Sequence, residues 1–155
     1  MKLLAKINRP LEFIFLAAAL IGLFFKALHL VGGNDILLLS MPLLALVYFI
    51  RSFIPIDAPP PAEHDFASLF GFTILPKVAM ISCAMVVLGS MFNILNLYGD
   101  RLLFPGCTVL AIATVAFIYF IIRDWATYKV MTGYLLRIVP IFLFGLFHFK
   151  NPVVF

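Results

Sequence analysis

The sequence predicts an all-α integral membrane protein, with four to five transmembrane helices arranged as two repeated helical hairpins plus a C-terminal hydrophobic helix. Three observations predict it. The chain of 155 residues is 65% hydrophobic and only 12% charged, where a soluble domain carries about 25% charged residues. Its mean hydropathy is +1.15, so little would remain to cover a water-facing surface. The apolar residues come in long runs of Leu, Ile and Phe, not in the alternation of a membrane β-barrel strand. Finally, the stretch Gly22–Gly33, GLFFKALHLVGG, returns as Gly89–Asp100, GSMFNILNLYGD, at an offset of 67 residues. That echo points to a duplicated hairpin inside one membrane domain covering residues 1–155.

Met1–Pro10 is a short basic lead with Lys2, Lys6 and Arg9, and Pro10 suits the first turn of a helix beginning there. The run Leu11–Val31 is too long for a signal-peptide core and lacks a small-residue exit, so it reads as a retained first span over about 11–30. Glu12 falls at its start, near headgroup depth, and Lys26 and His29 near its end. Val31–Asp35, VGGND, is a tight turn by composition. The second span, about 36–53, is kinkable at Pro42 and closes the first hairpin (11–53) with the interfacial residues Tyr48 and Arg51.

Residues 54–77 connect the hairpins. Ile54–Asp65 reads as an extended proline-rich linker. Phe66–Leu75 reads as a short interfacial helix or as the beginning of the third span. The second hairpin (78–122) has spans over about 78–97 and 102–122, a turn at Tyr98–Arg101, and Pro105 near the start of its second helix. Arg123–Lys129, with Trp125 and Tyr128, forms another interfacial belt. The last run, 130–149, is interrupted by Arg137, Pro140 and Gly145. It has the ~20 residues a crossing needs and reads as a fifth span, with a helix half in the interface as the alternative.

The formal charge of +4 does not imply a nucleic-acid partner, because the basic residues are dispersed and flank the hydrophobic runs. Lys2, Lys6, Arg9, Arg51, Lys77, Arg123 and Lys129 fall on one side, Arg101 and Lys150 on the other. This places the N-terminus in the cytoplasm. The expected partners are the lipid bilayer and other membrane subunits or a second copy.

The intramembrane polar residues are the candidate contact sites. An intramembrane lysine is costly and marks a functional site by default, although the long stem of Lys26 allows it to snorkel. Lys26 and His29 pair across the repeat with Asn93 and Asn96. Each pair is three residues apart, a spacing that shares one face of a helix. Gly22 and Gly89 lie one turn earlier and allow close helix packing. Arg137 is the other candidate, with Asp124 as a possible partner. A haem between His29 and His148 would need the two to face each other across helices, and their spacing does not establish that. No cofactor or metal is expected, and Cys83 and Cys107 read as small buried hydrophobes.

Sequence signatures of catalysis such as HExxH, GxSxG or a glycine-rich phosphate loop do not occur, and the chain is not expected to be an enzyme. All seven acidic residues fall at span ends or in connections. The expectation is therefore that no span carries its own carboxylate, which proton-driven machines usually need.

Residues 11–58 resemble the membrane hairpin of the GldL family, the gliding-motility and type 9 secretion inner-membrane subunits. The resemblance rests on Gly22, Phe25–Lys26–Ala27–Leu28–His29, the turn Gly32–Gly33, and Ser52–Phe53–Ile54–Pro55 followed by Asp57. It implies a bacterial inner membrane, helices that assemble around a partner's helix, and Lys26 and His29 in the place of the family's embedded polar residues. The family's second helix carries a glutamate, where span two offers Ser40, Pro42 and Tyr48, and its long cytoplasmic tail is here a second hairpin. The resemblance thus implies a shared scaffold without the motor. The expected function is a non-catalytic subunit packing against other helices in a bacterial envelope complex. The alternative is a small ion channel or transporter using the Lys26/His29 and Asn93/Asn96 faces.

Overall fold

The computed structural model describes residues 2–55 and 69–150. Most of the proline-rich linker, including Asp57, lies outside the described residues. The chain folds as α1 (Lys2–Ala27), α2 (Gly33–Arg51), α3 (Leu75–Ile94), α4 (Asp100–Arg123), a short α5 (Trp125–Tyr128) and α6 (Thr132–Lys150). A π-helical turn, Phe70–Ile74, leads into α3, and a 3-10 turn, Lys129–Met131, leads into α6. Among the described residues five helices are long and apolar enough to cross a membrane. The run after Trp125 is one of them, so the C-terminal segment has the length and composition of a fifth span.

α1 packs on α2, α2 on α3, and α3 on α4, while α6 lies against both α3 and α4. α3 is therefore the centre of the bundle. Its buried residues surround the helix, among them Leu75, Ala79, Met80, Cys83, Val86, Val87, Met91 and Ile94, as expected of a helix that is apolar all round. The buried positions of α2 instead form one stripe, Leu37, Ser40, Met41, Leu44, Ala45 and Tyr48, at the helical repeat.

Several element boundaries differ from the sequence reading. α1 starts at Lys2, not at Pro10, which sits inside it. The lead residues Leu3, Leu4, Ala5 and Lys6 are good helix formers, and Asn8 Nδ2 donates to the Val47 carbonyl of α2 at 3.5 Å, which ties the lead to the bundle. The segment from Leu69 is not a separate interfacial helix but continues into α3. Its π turn, closed by Leu75 N–H on Phe70 O, comes just before Pro76, whose ring would crowd the carbonyl four residues earlier in a regular helix. Phe72 in that turn stacks on Tyr128 of α5, with ring centroids 4.9 Å apart.

The repeat is visible in the backbone. α1 closes with His29 N–H on Lys26 O (3.0 Å) and Leu30 N–H on Phe25 O (2.8 Å). α3 closes with Asn96 N–H on Asn93 O (3.0 Å) and Leu97 N–H on Phe92 O (2.7 Å). Both are Schellman caps, in which the residue after the cap takes the left-handed conformation. His29 and Asn96 hold it, with φ of 54° and 57°. The following helices start alike, with Ile36 N–H on Gly32 O and Leu103 N–H on Gly99 O.

Candidate functional site

The two caps change how the predicted polar pairs are arranged. α1 ends at Ala27 and α3 at Ile94, so His29 and Asn96 lie beyond the helices and do not share a helical face with Lys26 and Asn93. The three-residue spacing that suggested a common face is the spacing of a cap. His29 and Asn96 are placed there by backbone conformation, and His29 is exposed.

Lys26 and Asn93 do different things. The Lys26 ammonium donates to Ile94 O at 2.6 Å and to Asn34 Oδ1 at 2.9 Å. Ile94 is the last residue of α3, whose final carbonyls have no partner within the helix and carry the negative end of its dipole. Lys26 thus crosses from the first hairpin and caps the second. Asn93 Nδ2 donates instead to Asp100 Oδ1 at 2.7 Å, within its own hairpin. Gly22 lies against the Ile36 and Leu37 side chains, and Gly89 against the Leu103 backbone.

The opposite end of the bundle holds a site that sequence reasoning missed. Arg137 pairs with Glu12, Nε to Oε1 at 3.0 Å, and not with Asp124. Asp124 instead caps α5 by accepting from the Thr127 amide at 3.2 Å. Hydrogen bonding from Thr127 holds the Asp124 carboxyl below the usual carboxylate range. Glu12 is only 5% exposed and lies inside the span Ile7–Ala27. α1 begins upstream, at Lys2, so Glu12 stands in the second turn of the span Ile7–Ala27 and not at its start, against the expectation that every carboxylate falls at a span end or in a connection. The signal was in the sequence: Asn8, Glu12, Phe15, Ala19, Gly22, Leu23 and Lys26 form a 3–4 residue stripe, and this stripe is the face that α1 buries or half-buries.

The pair is incompletely satisfied. Glu12 Oε2 and Arg51 Nε are buried with no hydrogen-bond partner among the described residues. Arg51 lies over the Tyr134 ring, 5.6 Å from its centroid. Such an arrangement fixes one helix to another by charge and leaves one carboxylate oxygen able to take a further donor.

Among the described residues no three His, Cys, Asp or Glu side chains gather as a metal site. His148 is buried and set on its own helix, with Nδ1 3.0 Å from Phe144 O and its ring 4.3 Å from the Phe144 centroid. Cys83 and Cys107 are buried free thiols. No family model matches the sequence, and no curated protein or solved structure resembles it significantly.

Proposed function

We propose that this chain is a non-catalytic integral subunit of a larger bacterial envelope complex, seated in the inner membrane with its N-terminus in the cytoplasm. The observation that carries the reading is the state of α1. Its two ends are fixed by polar contacts, Glu12 to Arg137 and Lys26 to Ile94, yet only 17% of its span is buried, against 56% for α3. Phe13, Ile14, Leu20, Ile21 and Phe24 stay bare between those anchors. A helix held this firmly with so little packing is a surface on which further helices can seat.

Two further features support it. The seams between helices are filled by Leu37, Met80, Val86, Leu110, Phe117 and Ile138, all at 0% exposure, which disfavours a water-filled path through one copy. The distribution of basic residues supports the orientation, and the resemblance of residues 11–58 to the GldL hairpin supports the inner-membrane setting.

The test is photo-crosslinking in cells from the bare face of α1. A crosslinker at Phe13, Leu20 or Phe24 is expected to trap another membrane protein in defined stoichiometry, while one at Ile118 or Ile122 on α4 traps lipid. Lipid alone from both faces would sink the subunit reading. One observation favours the second reading, a small channel or transporter: Glu12 is a carboxylate inside a span with an unpartnered oxygen. Proton flux through liposomes carrying the purified chain alone would move the assignment to it.

A further inference from the structure

The seam between α4 and α6 opens outward as an apolar cleft of about 360 Å³. Phe104, Cys107, Thr108, Ala111 and Ile112 line it from α4, and Phe142 and Leu146 from α6. Its one hydroxyl makes no polar demand on an occupant, because Thr108 Oγ1 donates to the Phe104 carbonyl one turn back at 2.8 Å. The tight part of the seam lies deeper, where Gly145 of α6 packs on Cys107 of α4 and on Val86 of the central α3. The helices therefore touch along their inner edges and part along their outer ones.

What stands at the mouth of this cleft decides its occupant. Residues 101, 104, 108 and 112 follow one another at three- and four-residue steps, so they share a stripe of α4. Arg101 heads that stripe, one turn before Phe104, and is exposed. α4 has 24 residues and is therefore about 36 Å long, against ~30 Å of hydrocarbon. Arg101, its second residue, falls at phosphate depth while the cleft below it falls among acyl chains. Nearby charges do not quench it. Asp100 is engaged by Asn93, and Lys26 is committed to Ile94 and Asn34. Among the described residues Arg101 makes no hydrogen bond or ion pair.

We propose that this seam is a seat for one anionic glycerophospholipid, with an acyl chain in the α4–α6 cleft and the phosphate on the Arg101 guanidinium. Guanidinium and phosphate match as a planar fork to a tetrahedral anion. The cleft supplies the apolar contact that a headgroup interaction alone lacks, and a tail seated there covers Phe104 and Ile112, which are 60% and 66% exposed.

Native mass spectrometry of the full chain in mild detergent, after incubation with phosphatidylglycerol or phosphatidylcholine vesicles, tests this. The wild-type chain is expected to retain one phosphatidylglycerol, about fivefold more than phosphatidylcholine, the preference that one surface arginine supplies. Arg101→Gln should bring phosphatidylglycerol down to the phosphatidylcholine level. Ala111→Trp, which fills the cleft, should remove both while the chain still elutes as a single species. Equal retention of the two lipids by the wild type would overturn the proposal. So would a preference that survives Arg101→Gln, or occupancy unchanged in a well-folded Ala111→Trp.

Discussion

The two hairpins share a backbone and differ in how their first helices are held. Phe24–Leu30 and Met91–Leu97 make the same turn-closing hydrogen bonds, residue for residue at the repeat offset, and both place a non-glycine residue at positive φ. Yet α3 is enclosed by α2, α4 and α6, whereas α1 packs chiefly on α2. The glycines one turn before the polar residue show the difference. A Cβ at Gly89 would lie 2.7 Å from Leu103 N, in the backbone of α4, whereas one at Gly22 would meet only side-chain atoms of Ile36 and Leu37, at 3.0 Å. α3 is held on three sides, whereas α1 is held on one side by α2 and, toward its ends, by polar contacts. A repeated hairpin thus yields a core helix and an edge helix, and side chains alone decide which is which.

The strongest way to break this contrast is to cut a point of attachment. Arg137→Met leaves the Glu12 carboxylate buried without its cation, a loss of about 3–5 kcal/mol for a buried pair. SDS titration of the purified protein should read this as a large shift to lower detergent fraction. The double variant Glu12→Leu with Arg137→Met should recover most of it, since an apolar pair of similar volume is often neutral or better. If the single variant unfolds no more easily than the wild type, the Glu12–Arg137 pair adds nothing to the packing of α1 on α2.

The glycines sharpen the comparison at intermediate size. Gly89→Ala forces backbone against backbone and should cost about 3 kcal/mol, while Gly22→Ala presses on side chains that can turn aside and should cost about 1. The same titration, run on both variants, checks the ratio. Equal costs would mean that the α1–α2 contact is as unyielding as the α3–α4 contact.

How much of this was legible follows from the same residues. The class, the five apolar runs and the repeat could be read because hydropathy and glycine spacing are local signals that the bilayer enforces. The start of α1 could not, because a proline inside a helix and one in its first turn look alike in sequence, and the Asn8 contact that favours the longer helix comes from α2. Glu12 was misplaced for the same reason: its depth depends on where the helix starts, and its partner lies 125 positions away. Lys26 was recognisable as an unusual residue, but its partner is a main-chain carbonyl, which no sequence pattern marks.

The smallest effect tests whether the shared cap is a device of the fold or of the site. A non-glycine residue in the left-handed region carries about 1 kcal/mol of strain, less for asparagine, whose short polar side chain bonds locally. Gly32 already supplies positive φ three residues beyond His29, at 90°, so glycine is tolerated in this turn. His29→Gly should therefore stabilise the protein by up to about 1 kcal/mol and Asn96→Gly by only a few tenths, both read as small shifts to higher detergent fraction in the SDS titration. The difference arises because both positions obey the same backbone while only asparagine suits it. If His29→Gly instead destabilises, the imidazole makes a contact worth more than the strain, and the exposed turn beside Lys26 would then have to be counted as part of the site rather than as its frame.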